Sequence, residues 1–107
     1  MVALNSDKSV KRLKGPQRPI NPLSDRLEMM AALSFVDFVT WFEEDTPLNT
    51  IQNLTPNTLV KGGDWKPKDI VGSEHVIKNG GQVRSLQFMD GYSSTSIIQR
   101  ITDNAKL

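Results

Sequence analysis

The sequence predicts an α/β fold, a parallel doubly wound sheet with helices on both faces. Short β-branched and aromatic runs alternate with segments of helical spacing along the chain, the order expected of repeated β–α units. The segments richest in glycine, hydroxyl and basic residues follow the strands, and ligands bind outside the carboxyl ends of the strands in such sheets. A length of 107 residues, 37% hydrophobic and 23% charged, suits one small globular domain.

The elements read as follows. Val2–Asn5 (VALN) is a strand. Asp7 caps a short helix through KSVKRL, and KGPQRPINP is a loop, with Gly15, Pro16, Pro19 and Pro22 as breakers and Lys14 and Arg18 standing in it. Asn21 followed by Pro22 starts a helix that runs to about Leu33, with Leu23, Leu27, Met30 and Ala31 at helical spacing. VDFVTWF, Val36 to Phe42, is a strand. Thr46–Pro47 repeats the cap-plus-proline device before a short helix carrying Leu48, Ile51 and Leu54. NTLVKGGDW is a strand through Leu59 and Val60 that runs into a glycine loop. Ile70–Lys78 is a helix closed by Asn79, Gly80 and Gly81. QVRSLQFM, Gln82 to Met89, is the next strand, and Ser94 to about Thr102 is a last helix with Ile97, Ile98 and Ile101 on one face.

Composition narrows the chemistry. Thirteen basic against twelve acidic residues leave a net charge of +1, which gives no reason to expect a nucleic-acid or membrane partner. The absence of cysteine removes disulfides, thiolate zinc sites and a cysteine nucleophile, and one histidine, His75, cannot build a histidine metal cluster. With no membrane-length apolar run and no signal-peptide pattern, a cytoplasmic location is expected. Trp41, Phe42, Met29 and Met30 are expected in or near the core, and His75 is expected to be a partly exposed helix residue without a chemical role. Glu43, Glu44 and Asp45 precede a helix start, where the dipole and the cap explain an acidic run without a metal.

DGYSSTSIIQRI, residues 90 to 101, raises a choice. Ser93, Ser94 and Thr95 read either as ordinary helix caps or as an anion site, because the N–H groups and dipole of a helix start favour a phosphate. Gly91 before them would let main chain approach a ligand. Lys61, Gly62, Gly63, Asp64 and Trp65 likewise read as a turn that needs glycine or as a ligand loop, two readings that are compatible.

Three segments, LNSDKSVKRLKGPQRPINPLSDRLEMMAAL, FEEDTPLNTIQNLTPNTLVKGGDWKPKDIVG and GGQVRSLQFMDGYSSTSIIQRI, span nearly the whole chain. They resemble the D-glycero-β-D-manno-heptose 1-phosphate adenylyltransferases of the cytidylyltransferase-like superfamily, which make ADP-heptose for lipopolysaccharide and often form the C-terminal half of a bifunctional sugar kinase/adenylyltransferase. SSTSIIQR is similar to the second signature of that superfamily, and LVKGGDWKPKDIVG to the heptose branch in particular. The resemblance implies a Rossmann-like sheet, ATP with Mg²⁺ and a sugar 1-phosphate as substrates, and nucleotidyl transfer. It implies that Lys14, Ser93, Ser94, Thr95 and Arg100 serve the nucleotide phosphates, that Asp64 and Trp65 serve ribose and base, and that Arg18 and Arg26 serve the substrate. Arg100 also reads as part of a solvated helix face, and Arg26 as a residue that faces water or pairs with a carboxylate.

One departure shapes the expectation. The family's first signature, a strand ending in G-x-F-D and a helix start with H-x-G-H, has no counterpart here. The resemblance therefore implies a single domain over residues 1–107, truncated at its N-terminus and missing its first β–α unit, roughly 30 residues. No catalytic residue is assigned, because the family's histidines are missing. Two readings stay open: an enzyme domain whose first unit comes from a complementing N-terminal segment, or a non-catalytic nucleotide-binding remnant. A homo-oligomer is a further way to cover the place of that unit.

Overall fold

The computed structural model describes residues 1–105. Along it run β1 (Val2–Asn5), α1 (Asp7–Lys14), α2 (Leu23–Ala31), β2 (Val39–Phe42), α3 (Leu48–Leu54), β3 (Thr58–Gly62), a 3-10 turn (Pro67–Asp69), α4 (Ser73–Lys78), β4 (Gln82–Leu86) and α5 (Ser94–Ala105). The fold is α/β with parallel strand pairing, as the alternation of patterns predicts. β1 pairs with β2, Val2 opposite Val39 and Asn5 opposite Phe42. β3 pairs with β4, Thr58 opposite Gln82 and Gly62 opposite Leu86. The two pairs form separate two-stranded sheets among the described residues.

Helices α1 and α2 pack on the first sheet, while α4 and the 3-10 turn pack on the second and α3 leans on α4. The core is small: Phe42, Ile51, Ile70 and Val76 are its buried apolar residues. Two buried serines hold the start of α1. Ser6 caps the helix by accepting from the Ser9 N–H at 3.2 Å, and the Ser9 hydroxyl donates to the Glu44 carbonyl at 2.8 Å. Asp7, expected to cap α1, is instead its first residue and caps a different helix: its Oδ1 accepts from the Leu23 N–H at 2.9 Å. The start of α2 therefore follows Pro22 and takes its cap from the first residue of α1 rather than from Asn21.

Other boundaries moved for physical reasons. The second strand begins at Val39, because Val36 is held in a turn by its hydrogen bond to the Leu33 carbonyl. The helix expected over residues 70–78 begins at Ser73, because Gly72 sits at φ +86° with the Ile51 side chain filling the space of a Cβ, at 2.7 Å. Trp41, expected in the core, is 49% exposed, since successive residues of β2 face opposite ways and Phe42 takes the buried side. Met29 is also exposed. His75 is half-buried, its Nε2 2.9 Å from the Thr55 hydroxyl. The acidic run is held by α1: Arg12 Nε pairs with Asp45 Oδ1 at 2.8 Å, and its Nη2 donates to the Glu43 carbonyl.

Candidate functional site

The segments after β1, β3 and β4 carry the residues singled out in the sequence. Because β3 and β4 are parallel neighbours, the loop that begins at Gly62 and the segment that leads to α5 leave the same end of one sheet. The α1–α2 loop joins them through one contact: Arg18 Nη2 donates to Thr95 Oγ1 at 2.9 Å. A guanidinium thus stands at the start of a 12-residue helix.

At that helix start the three hydroxyls have different tasks. The Ser93 Oγ accepts from the Ser96 N–H at 3.0 Å, an N-cap bond, and the Ser96 hydroxyl returns a bond to the Ser93 carbonyl at 2.9 Å. Thr95 faces Arg18. The N–H groups of Ser94 and Thr95 lie in the first turn, where a helix has no acceptor of its own to offer. Main-chain donors, a dipole end and an arginine therefore converge on exposed ground, an arrangement chemically suited to an anion.

The glycine loop is built against two aromatic rings. A Cβ on Gly62 would lie 2.7 Å from Phe88 Cε1, and Gly63, at φ +117°, packs against the Trp65 indole with its Cβ position 3.0 Å from Nε1. Ser85 locks the loop by donating to the Gly63 carbonyl and accepting from the Trp65 N–H at 3.3 Å. Lys61 Nζ lies 4.6 Å from the centroid of the Trp65 ring. Trp65 remains 46% exposed and Phe88 73%, so two rings stay open beside the loop. Phe88 and Ser85 were not singled out in the sequence. The signal was the pair Gly62–Gly63, since adjacent glycines after a strand announce something packed close to the main chain.

The remaining site residues are dispersed. Lys14 is exposed at the end of α1, ahead of Gly15 at φ +106°. Asp64 is exposed within the loop, and Arg100 is exposed on α5. Arg26 is the most engaged of them: it donates to the Asn21 carbonyl at 3.0 Å, the Asn5 carbonyl at 2.9 Å and Asp7 Oδ1 at 2.8 Å. Among the described residues no group of three or more His, Cys, Asp or Glu side chains is placed to hold a metal ion, and no helix is long and apolar enough to cross a membrane.

The cytidylyltransferase-like family model matches residues 1–100. The chain belongs to that family. Among curated proteins it is similar to the bifunctional protein HldE of Marinomonas sp. (strain MWYL1), 54% identical over 94% of this chain and 21% of that protein. The bifunctional protein HldE of Pectobacterium carotovorum subsp. carotovorum (strain PC1) is 55% identical over 98% of this chain and 22% of its own length. That of Salmonella arizonae is 55% identical over 94% and 21%. The chain thus spans about a fifth of the length of the curated relatives it matches. Membership of the cytidylyltransferase-like family accords with the parallel β–α pairing.

Proposed function

We propose that this chain serves adenylyl transfer to D-glycero-β-D-manno-heptose 1-phosphate, giving ADP-heptose for lipopolysaccharide core synthesis in the cytoplasm. The observation that carries the reading is the identity of 54–55% to the bifunctional HldE proteins over almost the whole chain. The Arg18–Thr95 contact at the start of α5 supports the location of the phosphate site.

In the reaction a phosphate oxygen of the sugar attacks the α-phosphorus of ATP in line. The bond from that phosphorus to the bridging oxygen breaks, and pyrophosphate leaves with the electron pair. Mg²⁺ would enter with ATP as part of the substrate. The tasks left to this chain are to bind, orient and screen charge. The Ser94 and Thr95 N–H groups and Arg18 hold phosphate oxygens; Lys14 and Arg100 extend the basic ground. Trp65 stacks on the base, with Asp64 at the ribose. Arg26 fixes the position of the loops that carry these groups.

Turnover by these 107 residues alone is expected to be negligible, because the sequence contains one histidine and no H-x-G-H. Losing one preorganised donor costs about 10²–10³ in rate, and two are absent. The second reading, nucleotide binding without catalysis, is favoured by the position of that histidine, which is bonded to Thr55 at the end of α3.

Calorimetry with ATP and pyrophosphate, beside a pyrophosphate-release assay with heptose 1-phosphate, tests both. Competing binding of ATP and pyrophosphate with no release is expected. Release at the rate of an intact bifunctional relative would overturn the inactivity of the chain. Failure to bind either ligand would overturn the nucleotide site.

A further inference from the structure

The register of the second sheet places Ser85 of β4 directly opposite Lys61 of β3. Residues opposite one another in a ladder carry their side chains on the same face. The Ser85 hydroxyl and the Lys61 side chain therefore rise from one side of the sheet, and both residues are half-buried. Trp65 meets both of them: its N–H donates to Ser85 Oγ at 3.3 Å, and its ring centroid lies 4.6 Å from Lys61 Nζ. The chain leaving β3 thus turns back over this face, and the 3-10 turn Pro67–Asp69 that follows packs on β4.

Ser85 takes over where the ladder ends. The Gly63 N–H makes the last rung, to the Leu86 carbonyl at 2.7 Å. In a parallel ladder the next rung would run from the Phe88 N–H to the Gly63 carbonyl. Among the described residues that rung is not made, and the Gly63 carbonyl accepts from the Ser85 hydroxyl instead. The same oxygen accepts from the Trp65 N–H. One hydroxyl, using its single donor and one lone pair, closes on the residues before and after Asp64.

Asp64 is what this clamp displays. Its side chain is exposed, and among the described residues its N–H donates to no main-chain carbonyl. Gly63 before it sits at φ +117° and has no side chain to hold that conformation. Without the Ser85 hydroxyl, the main chain from the Gly63 carbonyl to the Trp65 N–H would keep no hydrogen bond to β4.

On the reading that Asp64 serves the ribose and Trp65 the base, we propose that Ser85 is a positioning residue for the nucleoside half of the nucleotide site, its hydroxyl holding Asp64 and Trp65 in the conformation that receives the ligand. A loop fixed before binding does not lose its main-chain freedom when the ligand arrives. The freedom of one residue corresponds to a factor of roughly ten in an equilibrium constant. The phosphate half does not depend on the clamp: the start of α5 is held by the Ser93 cap, and Arg18 reaches it from the α1–α2 loop. Removing the Ser85 hydroxyl therefore weakens the hold on the nucleoside and leaves the hold on the phosphates.

The test is calorimetry of ATP and of inorganic triphosphate binding to the 107-residue chain and to its variants Ser85→Thr and Ser85→Val. Threonine and valine have nearly the same shape, so the pair differs by the hydroxyl. Ser85→Val should weaken ATP about tenfold and leave triphosphate unchanged, while Ser85→Thr keeps ATP affinity close to wild type. The Trp65 amide, having lost its acceptor, should exchange about tenfold faster in Ser85→Val than in Ser85→Thr. Ser85→Ala replaces Ser85→Val if the latter does not fold, because its smaller side chain fits the same space. Equal ATP affinity in the variants with and without the hydroxyl overturns the role of Ser85. An equal loss for ATP and triphosphate also overturns it, by making the hydroxyl a support of the whole fold. Failure of the underlying reading shows in the wild type instead: ATP bound no more tightly than triphosphate removes Asp64 and Trp65 from the nucleoside, and the positioning role of Ser85 falls with them.

Discussion

Arg18 and Thr95 stand 77 positions apart in sequence, yet Arg18 Nη2 donates to Thr95 Oγ1 at 2.9 Å. The contact draws the α1–α2 loop over the start of α5 and puts a planar, permanently charged donor beside two unsatisfied main-chain N–H groups. Hydrogen bonds from a charged donor contribute about 1.5–3 kcal/mol. Arg18→Ala should therefore raise the dissociation constant for pyrophosphate at least tenfold by calorimetry. Arg18→Lys should recover only part of the loss, since an ammonium keeps the charge without the fork. Unchanged affinity in Arg18→Ala would place the anion elsewhere.

The Asp7–Arg26 pair sets the second prediction. Asp7 Oδ1 accepts from both Leu23 N–H and Arg26 Nη2, so one carboxylate caps α2 and anchors the guanidinium that also holds the Asn5 carbonyl. Loss of a cap costs about 1 kcal/mol, and the partly exposed ion pair adds less than another. Asp7→Ala should lower unfolding stability by about 1–2 kcal/mol in urea titrations, with ATP affinity unchanged in the folded protein. Arg26→Ala should behave alike, and the two losses should not add. A variant Arg26→Ala that keeps full stability but loses sugar-phosphate binding would make Arg26 the substrate contact that its family resemblance implies.

Gly63 carries a third. Its φ of +117° is closed to most side chains, and a Cβ there would meet the Trp65 ring. Gly63→Ala should cost about 1–3 kcal/mol in stability. It should also shift Trp65 fluorescence as the indole is displaced, while Gly80→Ala, with φ +83° but open space around it, leaves that fluorescence alone. Identical emission spectra for wild type and Gly63→Ala would mean that the loop and the ring are independent.

The parts of this fold that were legible in the sequence are those fixed by neighbours along the chain. β1 falls on Val2–Asn5 as expected, and the parallel β–α order follows from the spacing of apolar residues. The family motif SSTSIIQR falls on a helix start, where the Ser93 cap is a local matter of three residues. What was not legible depends on residues far apart. Asp7 looked like the cap of its own helix because sequence shows only the helix that follows it; the folded chain lends the carboxylate to Leu23. Trp41 looked like core because a short strand rich in aromatics does not reveal which face is covered. The Arg18–Thr95 contact has no local signature, and neither does the packing of Phe88 on Gly62.

The adjacent serines of the α5 start separate capping from binding. Ser93 Oγ is occupied by the Ser96 N–H, and its carbonyl accepts from the Ser96 hydroxyl and the Ile97 N–H. Its hydroxyl is therefore committed to the helix whether or not a ligand is present. Ser94 is exposed one residue further on, where a hydroxyl can reach outward beside its own N–H. Ser93→Ala should remove a cap worth about 1 kcal/mol and speed amide exchange through the first turns of α5. Ser94→Ala should leave exchange in α5 unchanged and weaken pyrophosphate binding about fivefold, the effect of one lost hydrogen bond of about 1 kcal/mol. The two variants thus predict opposite patterns in two measurements on one helix. Should Ser94→Ala bind pyrophosphate as tightly as wild type, the Ser94 hydroxyl has no part in the anion site, and the main-chain donors with Arg18 carry it alone.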